Sequence, residues 1–60
     1  MNKLEDLIIK CDTDPYYFSC LNRYNGYWVA YGYKVGKFEQ KGKGETPTEA
    51  VENLYKELVD

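Results

Sequence analysis

With 60 residues the chain has room for one small domain, and a domain of that size buries only about 60% of its unfolded surface, so it depends on tight packing or on a partner. A composition 43% hydrophobic and 30% charged excludes a disordered tail. No apolar run approaches the length of a membrane helix or a signal-peptide core, and a reducing cytoplasm is the expected compartment. The net charge of −2 conceals a division: residues 16–44 hold Arg23, Lys34, Lys37, Lys41 and Lys43 against Glu39, whereas residues 45–60 hold Lys56 against Glu45, Glu49, Glu52, Glu57 and Asp60. The strand region is basic and the final helix acidic.

In chain order, Asn2 is placed to cap a first helix, with Glu5 completing a capping-box pattern. Leu4, Leu7, Ile8 and Cys11 then follow at i, i+3, i+4 and i+7, one apolar helical face. The β-branched pair Ile8-Ile9 leaves a strand open as the alternative. Asp12-Thr13-Asp14-Pro15 breaks the segment. Tyr16 to Arg23 reads as a strand, Asn25-Gly26 as a type I′ hairpin loop, and Tyr27 to Val35 as the second strand. After a tight turn at Val35-Gly36, Phe38 to about Lys43 forms a third strand, short because of Gly42 and Gly44. Thr46 caps the final helix, Pro47 takes its first position and Glu49 reaches back. Ala50, Val51, Leu54, Tyr55 and Leu58 mark its buried stripe, with Glu52 and Lys56 as an outward i, i+4 pair. The expected class is α+β: a single domain over residues 1–60, ordered α-β-β-β-α, with a three-stranded antiparallel meander packed against two helices.

Nine of the ten aromatic residues lie between Tyr16 and Phe38. A two-residue loop at Asn25-Gly26 sets Tyr24 opposite Tyr27, Arg23 opposite Trp28 and Cys20 opposite Tyr31, and Phe18 then falls opposite Tyr33. The tight turn at Val35-Gly36 sets Tyr33 opposite Phe38. Alternation yields one face with Phe18, Cys20, Asn22, Val29, Tyr31, Tyr33 and Phe38, and another with Tyr17, Ser19, Leu21, Arg23, Trp28, Ala30, Gly32, Lys34, Lys37, Glu39 and Lys41. Burying the charges of the second set unpaired costs several kcal/mol per ion, so the first set is expected under the helices. Tyr17, Leu21 and Trp28, rimmed by Arg23, Lys34, Lys37 and Lys41, are then the expected binding surface. Two other arrangements stay open: a simple Arg23–Trp28 cross-strand stack, or the first helix covering this face.

The chain has no histidine, so the commonest general base is missing, and Gly42 and Gly44 lack phosphate-loop spacing. Two cysteines without histidine do not complete a four-ligand zinc site. Cys11 and Cys20 read as small buried hydrophobes, with a disulfide as the alternative. These absences point away from an enzyme and from any cofactor.

Tyr24-Asn25-Gly26-Tyr27-Trp28-Val29-Ala30 and the run Gly44-Glu45-Thr46-Pro47-Thr48-Glu49-Ala50-Val51-Glu52-Asn53-Leu54 resemble the HicB-like family, over Tyr16 to Leu58. Similar segments occur in short phage proteins. The resemblance implies a meander followed by a helix, and a non-catalytic partner that masks a small RNA-cleaving toxin. The element order also resembles the double-stranded-RNA-binding domain, whose last helix begins with phosphate-holding lysines; here Thr46, Pro47, Thr48 and Glu49 stand there. The expected function is a non-enzymatic module that masks or modulates a partner protein through the outer sheet face, with no membrane role. A single-stranded nucleic-acid binder using the same face is the alternative, and homodimerisation through it is the third.

Overall fold

The i, i+3, i+4, i+7 stripe of the N-terminal segment does form a helix, α1 (Lys3–Cys11), in a computed structural model that describes residues 3–60. The cap expected at Asn2 lies outside the described residues. Leu7 and Cys11 are buried, and Leu4 and Ile8 pack on the same core. Ile9 is 56% exposed, so the β-branched pair is divided between two sides of a helix rather than built into a strand. Beyond Cys11 the chain turns, with the Asp12 N–H donating to the Ile9 carbonyl at 3.1 Å. The Asp12 carboxylate accepts from the Phe18 N–H at 3.2 Å, tying this turn to the first strand.

Strands β1 (Tyr16–Tyr24), β2 (Tyr27–Lys34) and β3 (Gln40–Gly44) form an antiparallel sheet in the order β1-β2-β3. The hairpin loop is of the expected kind, with φ of 40° at Asn25 and 90° at Gly26. Its register is also as expected from Tyr24–Tyr27 through Cys20–Tyr31. A bulge between Phe18 and Cys20 then interrupts the ladder. Beyond it Phe18 opposes Gly32, and Tyr17 opposes Tyr33, where continuous pairing had set Phe18 opposite Tyr33.

The third strand differs too. Gln40 opposes Gly32, Lys41 opposes Tyr31 and Gly42 opposes Ala30. That is one residue away from the register implied by a tight turn at Val35-Gly36. Residues 35–39 form a longer loop, and β3 starts at Gln40 rather than Phe38. A one-residue slip exchanges the faces of a strand, so Lys41 moves to the opposite side while Gly42 and Gly44 turn toward the helices.

Helix α2 (Pro47–Val59) begins as its capping signal predicts. The Thr46 hydroxyl accepts from the Glu49 N–H at 3.1 Å. The Glu49 carboxylate reaches back to the Glu45 N–H, also at 3.1 Å, one residue before the Thr46 N–H of a capping box. Ala50, Val51, Leu54 and Leu58 are buried, and Tyr55 is half-buried. Glu52 forms its ion pair with Lys3 at 3.5 Å, not with Lys56.

Both helices lie on one side of the sheet, α2 over β2 and β3, α1 beside α2 and toward β1. The core joins Leu7 and Cys11 of α1, Ala30 of β2, and Ala50, Val51, Leu54 and Leu58 of α2. Tyr16, Phe18, Leu21 and Trp28 pack against it. The face of Trp28, Leu21 and Ala30 is therefore the covered one, the reverse of the expectation. The reason is steric. A Cβ at Gly42 would land on the Leu54 backbone nitrogen and the Ala50 carbonyl oxygen, and one at Gly44 would lie 2.6 Å from the Ala50 nitrogen. Only a strip of Ala30, Gly32, Gly42 and Gly44 lets α2 approach this closely.

Candidate functional site

With both helices on one side, the other side of the sheet has no covering element among the described residues. Register places Tyr17, Cys20, Asn22 and Tyr24 of β1 there, with Tyr27, Val29, Tyr31 and Tyr33 of β2 and Lys41 and Lys43 of β3. Tyr17, Tyr24, Tyr27 and Tyr33 are each 36–44% exposed, so every ring is held on one side and available on another. Val29 is 2% exposed yet stands outside the main core; its cover is the side chains around it.

The rings brace one another. Tyr17 and Tyr33 stack with centroids 5.2 Å apart and an interplanar angle of 19°. Tyr24 and Tyr27, opposite each other at the hairpin end, are 6.5 Å apart and tilted. Tyr31 adjoins the second pair: a side-chain hydrogen bond with Tyr24 raises the Tyr31 phenol pKa, with desolvation and nearby Tyr24, Cys20 and Glu39 acting in the same direction. The Lys43 ammonium lies 5.9 Å from the Tyr27 ring centroid, within cation–π range. The Asn22 amide donates to Cys20 Sγ at 3.3 Å. Two acids stand at the margin: Glu39 in the β2–β3 loop, and Glu45, which with Glu49 shares a shallow hollow with Tyr27 and Lys43.

Of the residues expected to form the surface, Tyr17 and Lys41 lie on the open face. Leu21 and Trp28 are half-buried on the helix side. Arg23 opposes Trp28 on that side but sits at the hairpin end, where it stays exposed. Lys34, in the last position of β2, and Lys37, in the following loop, border a hollow of about 170 Å³ with Gln40, Glu57, Leu58 and Asp60. The negative end of α2 and the acids Glu57 and Asp60 border the same hollow as these two lysines. The charges thus avoid burial without sharing a face: two sit at strand ends, two in a loop, and Lys41 on the far side.

Six residues expected under the helices are corrected, Val29 among them, since it is buried on the open side by its neighbours. Tyr31, Tyr33, Cys20 and Asn22 are on the open face, and Phe38 is 90% exposed in the β2–β3 loop. Sequence reasoning missed Tyr24, Tyr27, Tyr31, Tyr33 and Lys43 as surface residues. The signal that finds them is residue size: the strip of alanine and glycine is where a helix can sit, so the tyrosines belong opposite it.

Cys11 and Cys20 are both free thiols, the first buried and the second exposed. Cys11 Sγ donates weakly to the Val51 carbonyl at 3.9 Å, and burial pushes its pKa up to about 11. The folded value exceeds the unfolded one, so the neutral thiol's contribution to stability is complete below about pH 9 and is lost as pH rises toward 11. At neutral pH an aromatic disulfide reagent should label Cys20 alone, with Cys11 reacting only after denaturation. Rapid labelling of both in the native protein would contradict this packing.

Among the described residues no three Cys, Asp or Glu side chains converge as metal ligands would, and no helix is long and apolar enough to cross a membrane. Comparison with protein-family models, with curated proteins and with solved structures found no match.

Proposed function

We propose that this is a non-enzymatic binding module of the cytoplasm whose working surface is the open, tyrosine-bearing face of the sheet, and that it acts by occupying and masking a macromolecular partner. The observation that carries this is the bracing of Tyr17 by Tyr33, and of Tyr24 by Tyr27 and Tyr31, on the sheet face that no helix covers among the described residues. Rings fixed before contact lose little conformational entropy on binding, so they serve recognition well. The strand edges are less available. On β1 the Phe18 N–H is taken by Asp12, and on β3 the Lys43 carbonyl is taken by the Asn53 side-chain amide. Two free cysteines support the cytoplasmic assignment.

The test is capture from a lysate of the native host by tagged protein. A Tyr27→Thr/Tyr33→Thr variant should keep its circular dichroism spectrum and lose the captured material. A Glu52→Gln/Glu57→Gln variant on the helix side should capture as the parent does. Equal capture by the tyrosine variant would remove the open face from the account.

A further inference from the structure

We infer that the open face takes single-stranded nucleic acid, its tyrosine rings serving as stacking platforms and Lys41 and Lys43 as phosphate contacts. This rests on the open face being the working surface, and it names what that surface holds. Charge is the first reason. The outward positions of the three strands carry Lys41 and Lys43 and no carboxylate, whereas α2 carries Glu49, Glu52 and Glu57 against Lys56, and in α1 Lys3 and Lys10 offset Glu5 and Asp6. A polyanion therefore meets a more favourable field over the strands than over α2. Glu39 and Glu45, at the two ends of β3, bound the basic track.

Geometry is the second reason. Lys41 and Lys43 are two residues apart on one strand, roughly 7 Å, a separation that neighbouring phosphates of an extended strand can match. Beside them the rings run from the Tyr24–Tyr27 pair to the Tyr17–Tyr33 pair. Tyr27 and Tyr33 are separated by about 20 Å of strand, a span that admits several bases. Stacking on such rings is indifferent to base identity, because every base has a π-face. Tyrosine also serves protein interfaces, but lysine is depleted at their cores, and here Lys41 and Lys43 stand beside the rings. A duplex is served less well, because its bases are paired and stacked inside it and cannot lie on the rings.

The experiment is a fluorescence anisotropy titration of a labelled oligothymidylate of about 15 nucleotides, within the site sizes known for sheet-based single-strand binders. Two phosphate contacts imply about a sevenfold loss of affinity between roughly 50 and 200 mM salt. Lys41→Glu/Lys43→Glu should abolish most of that salt dependence, and Tyr27→Thr/Tyr33→Thr should weaken binding by about tenfold per ring. Lys10→Glu/Lys56→Glu makes the same change in net charge on the helical layer and should leave affinity within about twofold, if the site and not overall charge governs binding. A duplex of the same sequence should bind more weakly.

Three results would overturn the inference. One is no anisotropy change at low salt. Another is equal weakening by the Lys10/Lys56 and Lys41/Lys43 variants. The third is tighter binding of the duplex. If the oligonucleotide fails while the tyrosine variant still loses a protein captured from nuclease-treated lysate, the open face stands as the working surface and its occupant is a protein. If the oligonucleotide fails and the protein sediments as a dimer that the tyrosine variant dissociates, the occupant is a second copy. Oligonucleotide failure with unchanged capture by the tyrosine variant removes both.

Discussion

Gly42→Ala is expected to unfold the protein. The added methyl would meet backbone on α2, at the Leu54 nitrogen, the Ala50 carbonyl oxygen and the Leu54 Cα, none of which can rotate aside. Relief requires lifting the helix, which loosens Val51, Leu54 and Leu58 together. Overpacking of this kind costs about 3 kcal/mol or more, and a core this small supplies only about 3–5 kcal/mol in total. Gly36→Ala is the matched comparison. Gly36 has a φ of 83° with no atom near its would-be Cβ, so the change adds only backbone strain, about 1–2 kcal/mol. Thermal melts followed by circular dichroism should show no cooperative transition for Gly42→Ala and a lowered but cooperative one for Gly36→Ala. A cooperative, near-parental melt for Gly42→Ala would mean that α2 does not sit on β3 as described.

Trp28→Ala is the second large effect, and it falls on stability. The indole packs against the core formed by both helices, so its removal leaves a void rather than an altered surface. Full core truncations of this size cost about 3–5 kcal/mol, and a half-buried ring about 2–3. That is most of the stability of a 60-residue domain. Urea titration should show the variant largely unfolded, and whatever binding it loses should follow the folded fraction. A stable Trp28→Ala protein with selectively lost binding would return the indole to the working surface and invert the assignment of the faces.

The fold was legible where local chemistry specifies local geometry. Asn25-Gly26 announced its turn and the adjoining register, and Thr46, Pro47 and Glu49 announced the start of α2. The faces were less legible because two register changes carry no local signal. Ser19 does not advertise a bulge, and Val35 to Glu39 does not reveal whether it makes a tight turn or a loop. Charge was a poor guide as well, because Arg23, Lys34, Lys37, Glu39 and Lys41 do not share a face. A cation at a strand end or in a loop reaches water whichever face its strand presents. Ala30, Gly32, Gly42 and Gly44 were the better guide, since helix packing on a sheet is limited by the size of what lies beneath. Tyr17 survived as a surface residue despite the misplaced faces because the bulge returned it to the open side.

The central claim, that the open tyrosine face holds single-stranded nucleic acid, is tested most directly by amide chemical-shift mapping of the ¹⁵N-labelled protein during titration with the oligothymidylate. The predicted result is a contiguous set of perturbed amides on β2 and β3, including Tyr27, Tyr31, Tyr33, Lys41 and Lys43, with Glu52, Lys56 and Glu57 on α2 unmoved. Perturbations gathered along α1 and α2, or a spectrum unchanged at saturating oligonucleotide, would contradict it.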